Sequence, residues 1–310
     1  MLQRVFGHSG ISTSVVGLGT WNIGNQWGFI DEATSYATIR SAFDSGMTLF
    51  DTAESYGIPN GLSEERLGRA LAGIRHQVTV VSKTGNWGKR TGGSVELGHA
   101  DVIRLCVHAS LHRLQTEWID VMLCHDGNIE DPSVYIEGFE ALIAEGRIRF
   151  YGVSTNNLDV VKRFNQQGTC SVVQVDYSLM NRQPEEEFLG YCSDNDIGVM
   201  VRGPLAQGLL SGRYDKTTRF TDPIRENWHA NAEAQARLEA NIDRVEQFKA
   251  VAPAGSSMVE VALQYVISHR SVSVVIPGAR STEQSRTNAE AGAAVLSDDL
   301  IAKLQAASLS

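Results

Sequence analysis

The chain has 310 residues, 42% of them hydrophobic, 20% charged and 7% aromatic, with 29 Gly and 7 Pro. That composition excludes collagen-like, coiled-coil and disordered chains, and a chain of this length buries enough surface to fold without disulfide or metal staples. The 27 Lys and Arg against 36 Asp and Glu leave a net charge of -9, which favours solubility and speaks against non-specific binding to nucleic acid or to an anionic membrane.

The opening MLQRVFGHSG lacks the basic-then-apolar pattern of a signal peptide, and no apolar run approaches the ~18 residues of a membrane span. A cytoplasmic protein without a membrane partner is expected. Gln3–Phe6 and Ile11–Ser14 flank the turn-forming Gly7-His8-Ser9-Gly10, which predicts a β-hairpin. Eight short apolar runs follow: Val15–Leu18, Met47–Phe50, Val78–Val81, Val121–Leu123, Ile148–Val153, Val172–Val175, Gly198–Val201 and Val272–Ile276. Their near-continuous hydrophobicity fits strands of a parallel sheet covered on both faces.

Amphipathic stretches alternate with these runs. Helices are expected over Ala33–Ser45, over Ser63–Leu71 with Ser63 as N-cap, over Asp101–Leu114 and over Met258–Ile267. In the third of these, Val102, Leu105, Cys106, Ala109 and Leu114 form the apolar face. Eight such units predict a (β/α)8 TIM barrel, with the hairpin across its floor, as a single domain over residues 1–310. The connection Leu209–Val251 is long enough to act as a lid or binding loop, and carries a helix over Ala230–Val251.

Several motifs fail. Gly17-Leu18-Gly19 opens like a dinucleotide fingerprint, but its third glycine is replaced by Asn22. Gly152-Val153-Ser154-Thr155-Asn156 fails as a nucleophile elbow at its last residue. Cys106, Cys124, Cys170 and Cys192 form no CxxC pair, and Glu185-Glu186-Glu187 reads as the acidic first turn of a helix, so no metal is expected.

In such a barrel, polar residues just past the C-terminal ends of the strands are the first candidates for chemistry. The second, third and fourth runs end in Asp51, Lys83 and His125, and the loop after Asp51 carries Tyr56. Any one of these alone reads as scaffold. Together they make a proton donor: an ammonium lowers the phenol's pKa of ~10, a carboxylate holds the ammonium, and a histidine orients a carbonyl oxygen. Trp21, Trp27 and Trp87 could line an apolar mouth or pack into the core.

Gly17-Leu18-Gly19-Thr20-Trp21, Phe50-Asp51-Thr52-Ala53-Glu54-Ser55-Tyr56-Gly57, Gly61–Leu71, Gly152-Val153-Ser154, Pro204–Gly212 and Ile276–Arg280 with Gln284 and Asn288 resemble the aldo-keto reductases along nearly the whole chain. The Arg202-Gly203-Pro204-Leu205 loop resembles a bacterial-type group among them. The resemblance implies an NADPH-dependent oxidoreductase, NADPH being preferred over NADH, that reduces a small aldehyde or ketone, sugars included. It implies catalysis by Asp51, Tyr56, Lys83 and His125, and substrate contacts from Trp21, Tyr56, Trp87 and His125. For the cofactor it implies Thr20, Trp21, Asp51, Ser154, Thr155, Gln174, Arg202, Pro204, Leu205, Gln207, Gly208, Gly278, Arg280, Gln284 and Asn288. Arg280 is the expected 2′-phosphate partner.

Arg202 stands where the resemblance leads one to expect an aromatic ring. It has two open roles: a planar platform under the nicotinamide, or an ion pair with a loop carboxylate near Asp215 or Asp222. A nucleotide-binding regulatory subunit on the same fold, like the potassium-channel beta subunits, is the alternative function. The sequence leaves the oligomeric state open.

Overall fold

The computed structural model describes residues 1–88 and 97–307. After an antiparallel hairpin of β1 (Gln3–Val5) and β2 (Ser12–Ser14), eight parallel strands pair in chain order: β3 (Leu18–Gly19), β4 (Leu49–Asp51), β5 (Thr79–Thr84), β6 (Ile119–Cys124), β7 (Ile148–Ser154), β8 (Val172–Asp176), β9 (Gly198–Arg202) and β10 (Val272–Val275). Parallel bridges Val16–Val275 and Gly19–Gly278 join the last strand to the first and close the barrel.

Helices follow the strands: α1 (Glu32–Asp44), α2 (Leu62–Ala70), α3 (Ala100–Leu114), α4 (Ser133–Ala144), α5 (Leu158–Phe164), α6 (Phe188–Asp194), α7 (Ala232–Val251), α8 (Met258–Ser268), α9 (Thr282–Glu290) and α10 (Asp298–Ala307). Side-chain caps start several of them. Asp31 accepts from the Thr34 amide, Asn231 from that of Ala234, Ser257 from that of Glu260 and Ser281 from that of Gln284. None of these helices is long and apolar enough to cross a membrane.

The strand pleat separates two cores. Leu49, Val81, Val121, Leu123, Val172, Met200 and Val274 fill the barrel, whereas Phe50, Val80, Met122, Val173 and Val201, one residue away, pack outward under the helices. Phe6, fully buried, stoppers the barrel from below, where the hairpin crosses as expected. The pleat also explains the site. Two residues beyond Leu49, Val81, Val172 and Met200 stand Asp51, Lys83, Gln174 and Arg202, so the polar groups form the next layer above the apolar filling.

Three local expectations need correction. Ser63 is not an N-cap: Gly61 begins α2 with φ +84, and the Ser63 hydroxyl is buried against Thr20. On α3 the buried face is Ile103, Val107, Leu111 and Leu114, while Leu105 is exposed, because the covering elements meet the helix about a third of a turn from the predicted stripe. Glu185 belongs to a 3-10 turn, Gln183–Glu185, ahead of α6, and binds the hydroxyls of Tyr177 and Tyr265.

Candidate active site

β4 and β5 are paired with Asp51 opposite Val81, which sets Lys83 one pleat above and beside the carboxylate. The Lys83 ammonium donates to Asp51 Oδ2 at 2.8 Å, to the Thr52 carbonyl at 2.7 Å and to the Tyr56 hydroxyl at 3.2 Å. Asp51 and Lys83 are buried. Burial works against the ammonium, but the neighbouring Asp51 and Tyr56 oxygens outweigh it and hold the pKa of Lys83 above its usual value. Burial pushes the Asp51 carboxyl up, against the pull of Lys83 and Gln174. The Tyr56 phenol is raised by burial as well, with Lys83 pulling down and Asp51 pushing up.

Backbone bonds fix the Tyr56 turn: its amide donates to Ala53, its carbonyl accepts from Ser63, and the next amide donates to the Gln26 side chain. The ring lies between two others, stacked on Trp21 at 6.1 Å and edge-on to His125 at 5.9 Å. Asp51, Tyr56, Lys83, His125 and Trp21 are thus brought together. Trp87 is not part of this group; its ring carries the Arg113 guanidinium at 5.3 Å and it is 38% exposed. Trp27 is buried, edge-on to Trp21 at 5.1 Å.

The residues expected around a cofactor fall into three settings. Ser154 and Gln174, register partners on β7 and β8, are buried beneath the rim; Gln174 donates to Asp51 at 2.9 Å. Gly152, under Ser154, has no alternative, since a Cβ there would meet the Val172 carbonyl oxygen. Thr20 and Thr155 turn inward, Thr20 bonding the Asp51 carbonyl and Ser63, Thr155 the Gly127 carbonyl.

At the end of β9, Arg202 donates to Asn156 Oδ1 at 2.9 Å and lies 3.8 Å from Asp176, its register partner on β8. The paired carboxylate is Asp176, not one near Asp215 or Asp222: Asp215 caps a Thr217–Thr218 turn, and Asp222 holds Arg225. Gly203 follows with φ +66, where a Cβ would strike Asp176. Pro204 and Leu205 lead into a turn in which Gln207 and Gly208 hold positive φ.

The third setting is the β10–α9 loop. Gln284 accepts the Arg280 amide at 2.8 Å, and Asn288 donates to the Gly278 carbonyl at 3.3 Å. The Arg280 guanidinium reaches the carbonyls of Trp27, Gly28 and Phe29. Arg225 lies over the Trp27 ring at 5.6 Å and over Phe220 at 4.5 Å, a bridge between the long connection and the first loop that sequence reasoning missed and no motif signalled. Two guanidinium groups therefore meet at Trp27, whose buried indole Nε1 has no hydrogen-bond partner. This donor set suits a phosphate-bearing ligand. Among the described residues, no group of three His, Cys, Asp or Glu side chains could hold a metal ion.

The model of the aldo/keto reductase family matches residues 15–308. The chain is 34% identical to the aldo-keto reductase YhdN of Bacillus subtilis, over 89% of this chain and 84% of that one. It is 32% identical to the NADH-specific methylglyoxal reductase of Escherichia coli, over 96% and 95%. Its fold superposes with a TM-score of 0.76 on an aldo-keto reductase from Klebsiella pneumoniae in complex with NADPH, at 29% identity, covering 99% of this chain and 95% of that one.

Proposed function

The chain belongs to the aldo/keto reductase family, and from that premise we propose that it is an NADPH-dependent oxidoreductase that reduces a small aldehyde or ketone, sugars included, to the alcohol. The observation that carries this reading is the buried ammonium of Lys83 held between Asp51 and the Tyr56 hydroxyl. The cofactor, when bound, supplies the hydride to the carbonyl carbon. Tyr56 gives its hydroxyl proton to the carbonyl oxygen, so hydride and proton together make the alcohol. Lys83 stabilises the phenolate that remains, and Asp51 keeps Lys83 charged and in place. His125, edge-on to the Tyr56 ring, orients the carbonyl oxygen, and Trp21 walls the same pocket. A phenol, with an ordinary pKa of about 10, is protonated near neutral pH, the form a reduction needs, and burial pushes it further that way.

The residues for the cofactor divide as their positions do. Arg280, Gln284, Asn288 and Gly278 would take the adenosine end, with the Arg280 fork on the 2′-phosphate. Pro204, Leu205, Gln207 and Gly208 would cover the pyrophosphate, and Arg202, Ser154 and Gln174 would border the nicotinamide. We read residues 1–310 as one domain. The test is a panel of aldehydes, ketones and aldoses assayed by loss of NADPH absorbance, with NADH in parallel. Turnover by the wild type and none by Tyr56→Phe is expected. Tight NADPH binding with no turnover of any carbonyl would favour a regulatory nucleotide-binding role instead.

A further inference from the structure

The Asp51 carboxylate has a second donor besides Lys83. Gln174, 1% exposed, sends its Nε2 to Asp51 Oδ1 at 2.9 Å, and its Oε1 accepts the Ser154 hydroxyl at 3.1 Å. The orientation of this amide is fixed by chemistry. A carboxylate only accepts, so the amide nitrogen must face Asp51, which leaves the oxygen for Ser154. Five side chains thus form one line across four strand ends: Ser154 on β7, Gln174 on β8, Asp51 on β4 and Lys83 on β5, all buried, and the half-buried Tyr56 above them.

We propose that Gln174, oriented by Ser154, is a positioning residue that sets how much negative charge Asp51 presents to Lys83, and thereby the acidity of Tyr56. A carboxylate that shares its charge with an amide donor grips the ammonium less completely. More of the ammonium's field then reaches the phenol oxygen at 3.2 Å. Without the amide, Asp51 neutralises Lys83 more fully and its own charge bears harder on the phenolate. Both effects raise the phenol's pKa. The other groups facing Tyr56 are His125 from the β6 end, whose ring is edge-on, and Arg202 from the β9 end, which favours the phenolate from further away. Arg202 spends its hydrogen bond on Asn156 and its ion pair on Asp176, and acts on Asp51 only through space.

The inference rests on Tyr56 as the acid, and the test separates the two. Phenol ionisation is followed by ultraviolet difference absorbance of each protein against its own Tyr56→Phe partner, from about pH 6 to about pH 11, without cofactor and with saturating NADP+. Gln174→Met keeps the side chain's length and removes both polar atoms; Ser154→Ala removes only the bond behind the amide and serves if Gln174→Met does not fold. The Tyr56 step should move to higher pH, about tenfold in proton affinity for Gln174→Met and less for Ser154→Ala. Ser154→Thr should restore the wild-type position. In an Asp51→Asn background, Gln174→Met should move the step no further. A step at an unchanged or lower pH in the single variants overturns the proposal, as does a wild-type Tyr56 that fails to ionise below about pH 11 with NADP+ present. Wild-type turnover by Tyr56→Phe would remove Tyr56 as the acid while the titration still decides the link.

Discussion

The two sides of the barrel rim are built on different principles. After β4 and β5 the polar groups are sealed: Asp51, Lys83 and Glu54 are at most 2% exposed, and Glu54 is tied to the Gly85 amide and the Thr84 hydroxyl. After β9 and β10 the charged groups are arginines reaching across loops. Arg202, Arg225 and Arg280 keep part of their surface in water and spend their donors on carboxylates, an amide and backbone carbonyls. The sealed side fixes a reacting geometry at the cost of desolvating charge. The open side holds donors that a ligand's phosphates can compete for. Chemistry and binding should therefore fail separately.

The widest separation should come from Tyr56→Phe, which removes one oxygen from the sealed side. Turnover should fall by about 10²–10⁴-fold while the Kd for NADPH stays within about twofold, read by single-turnover kinetics and a fluorescence titration. Lys83→Met should strike the sealed side's stability. It leaves Asp51 a buried charge without its partner, costing about 3–5 kcal/mol in urea unfolding, and Asp51→Asn in the same chain should return part of that. Arg280→Ala should do the reverse of Tyr56→Phe. NADPH affinity should drop by about tenfold and NADH affinity by less, with turnover at saturation retained. If Arg280→Ala lowers turnover as much as affinity, the division of labour is wrong.

The smallest effect concerns acid. Burial pushes the Glu54 carboxyl above its ordinary pKa. The folded protein therefore holds this proton more tightly than the unfolded chain does. Glu54 favours folding fully below the ordinary glutamate pKa of about 4.3, and that contribution is lost as pH rises through the raised folded value. Glu54→Gln should consequently gain stability relative to wild type as pH rises from about 4 to about 7, as read from urea midpoints across that range. The exposed Asp215, held below its ordinary pKa by hydrogen bonds from Thr217, belongs to the other kind of site, and Asp215→Asn should show no such gain.

Much of the sealed side was legible in the sequence. A run such as Val78–Val81 announces a strand, and Lys83 two residues on must point the way its inward neighbour Val81 does. What the runs could not reveal were partners lent by other strands. The Thr52 carbonyl that accepts from Lys83 is backbone and has no residue signature. Gln174 reads as a polar residue for a ligand, and only barrel closure brings it to Asp51, 123 positions away. For Arg202, one of two open roles was an ion pair with a carboxylate of the long loop, the segment that follows it in sequence. Its partner is Asp176, the register neighbour at the previous strand end, which strand adjacency alone could have named. The α3 face was misplaced because Leu105 fits the helical period yet faces solvent, and periodicity does not say where the neighbouring helix lies.

The Phe6 stopper ties the start of the chain to its end. Leu2 bonds the Gly292 carbonyl, Arg4 reaches the carbonyls of Ile267, His269 and Val272, and Phe6 packs against Val274 and Ile276. Residues made before every barrel strand are thus among the last to find their places. At about 5–20 residues per second, the apolar Phe6 waits on the order of 15 to 50 seconds for β10 to be made. During that interval every barrel strand already synthesised lacks its floor and its closing neighbour. Arrival of β10 and the segment after it, rather than of any earlier βα unit, is the event that shuts this molecule at the bottom and along its seam together.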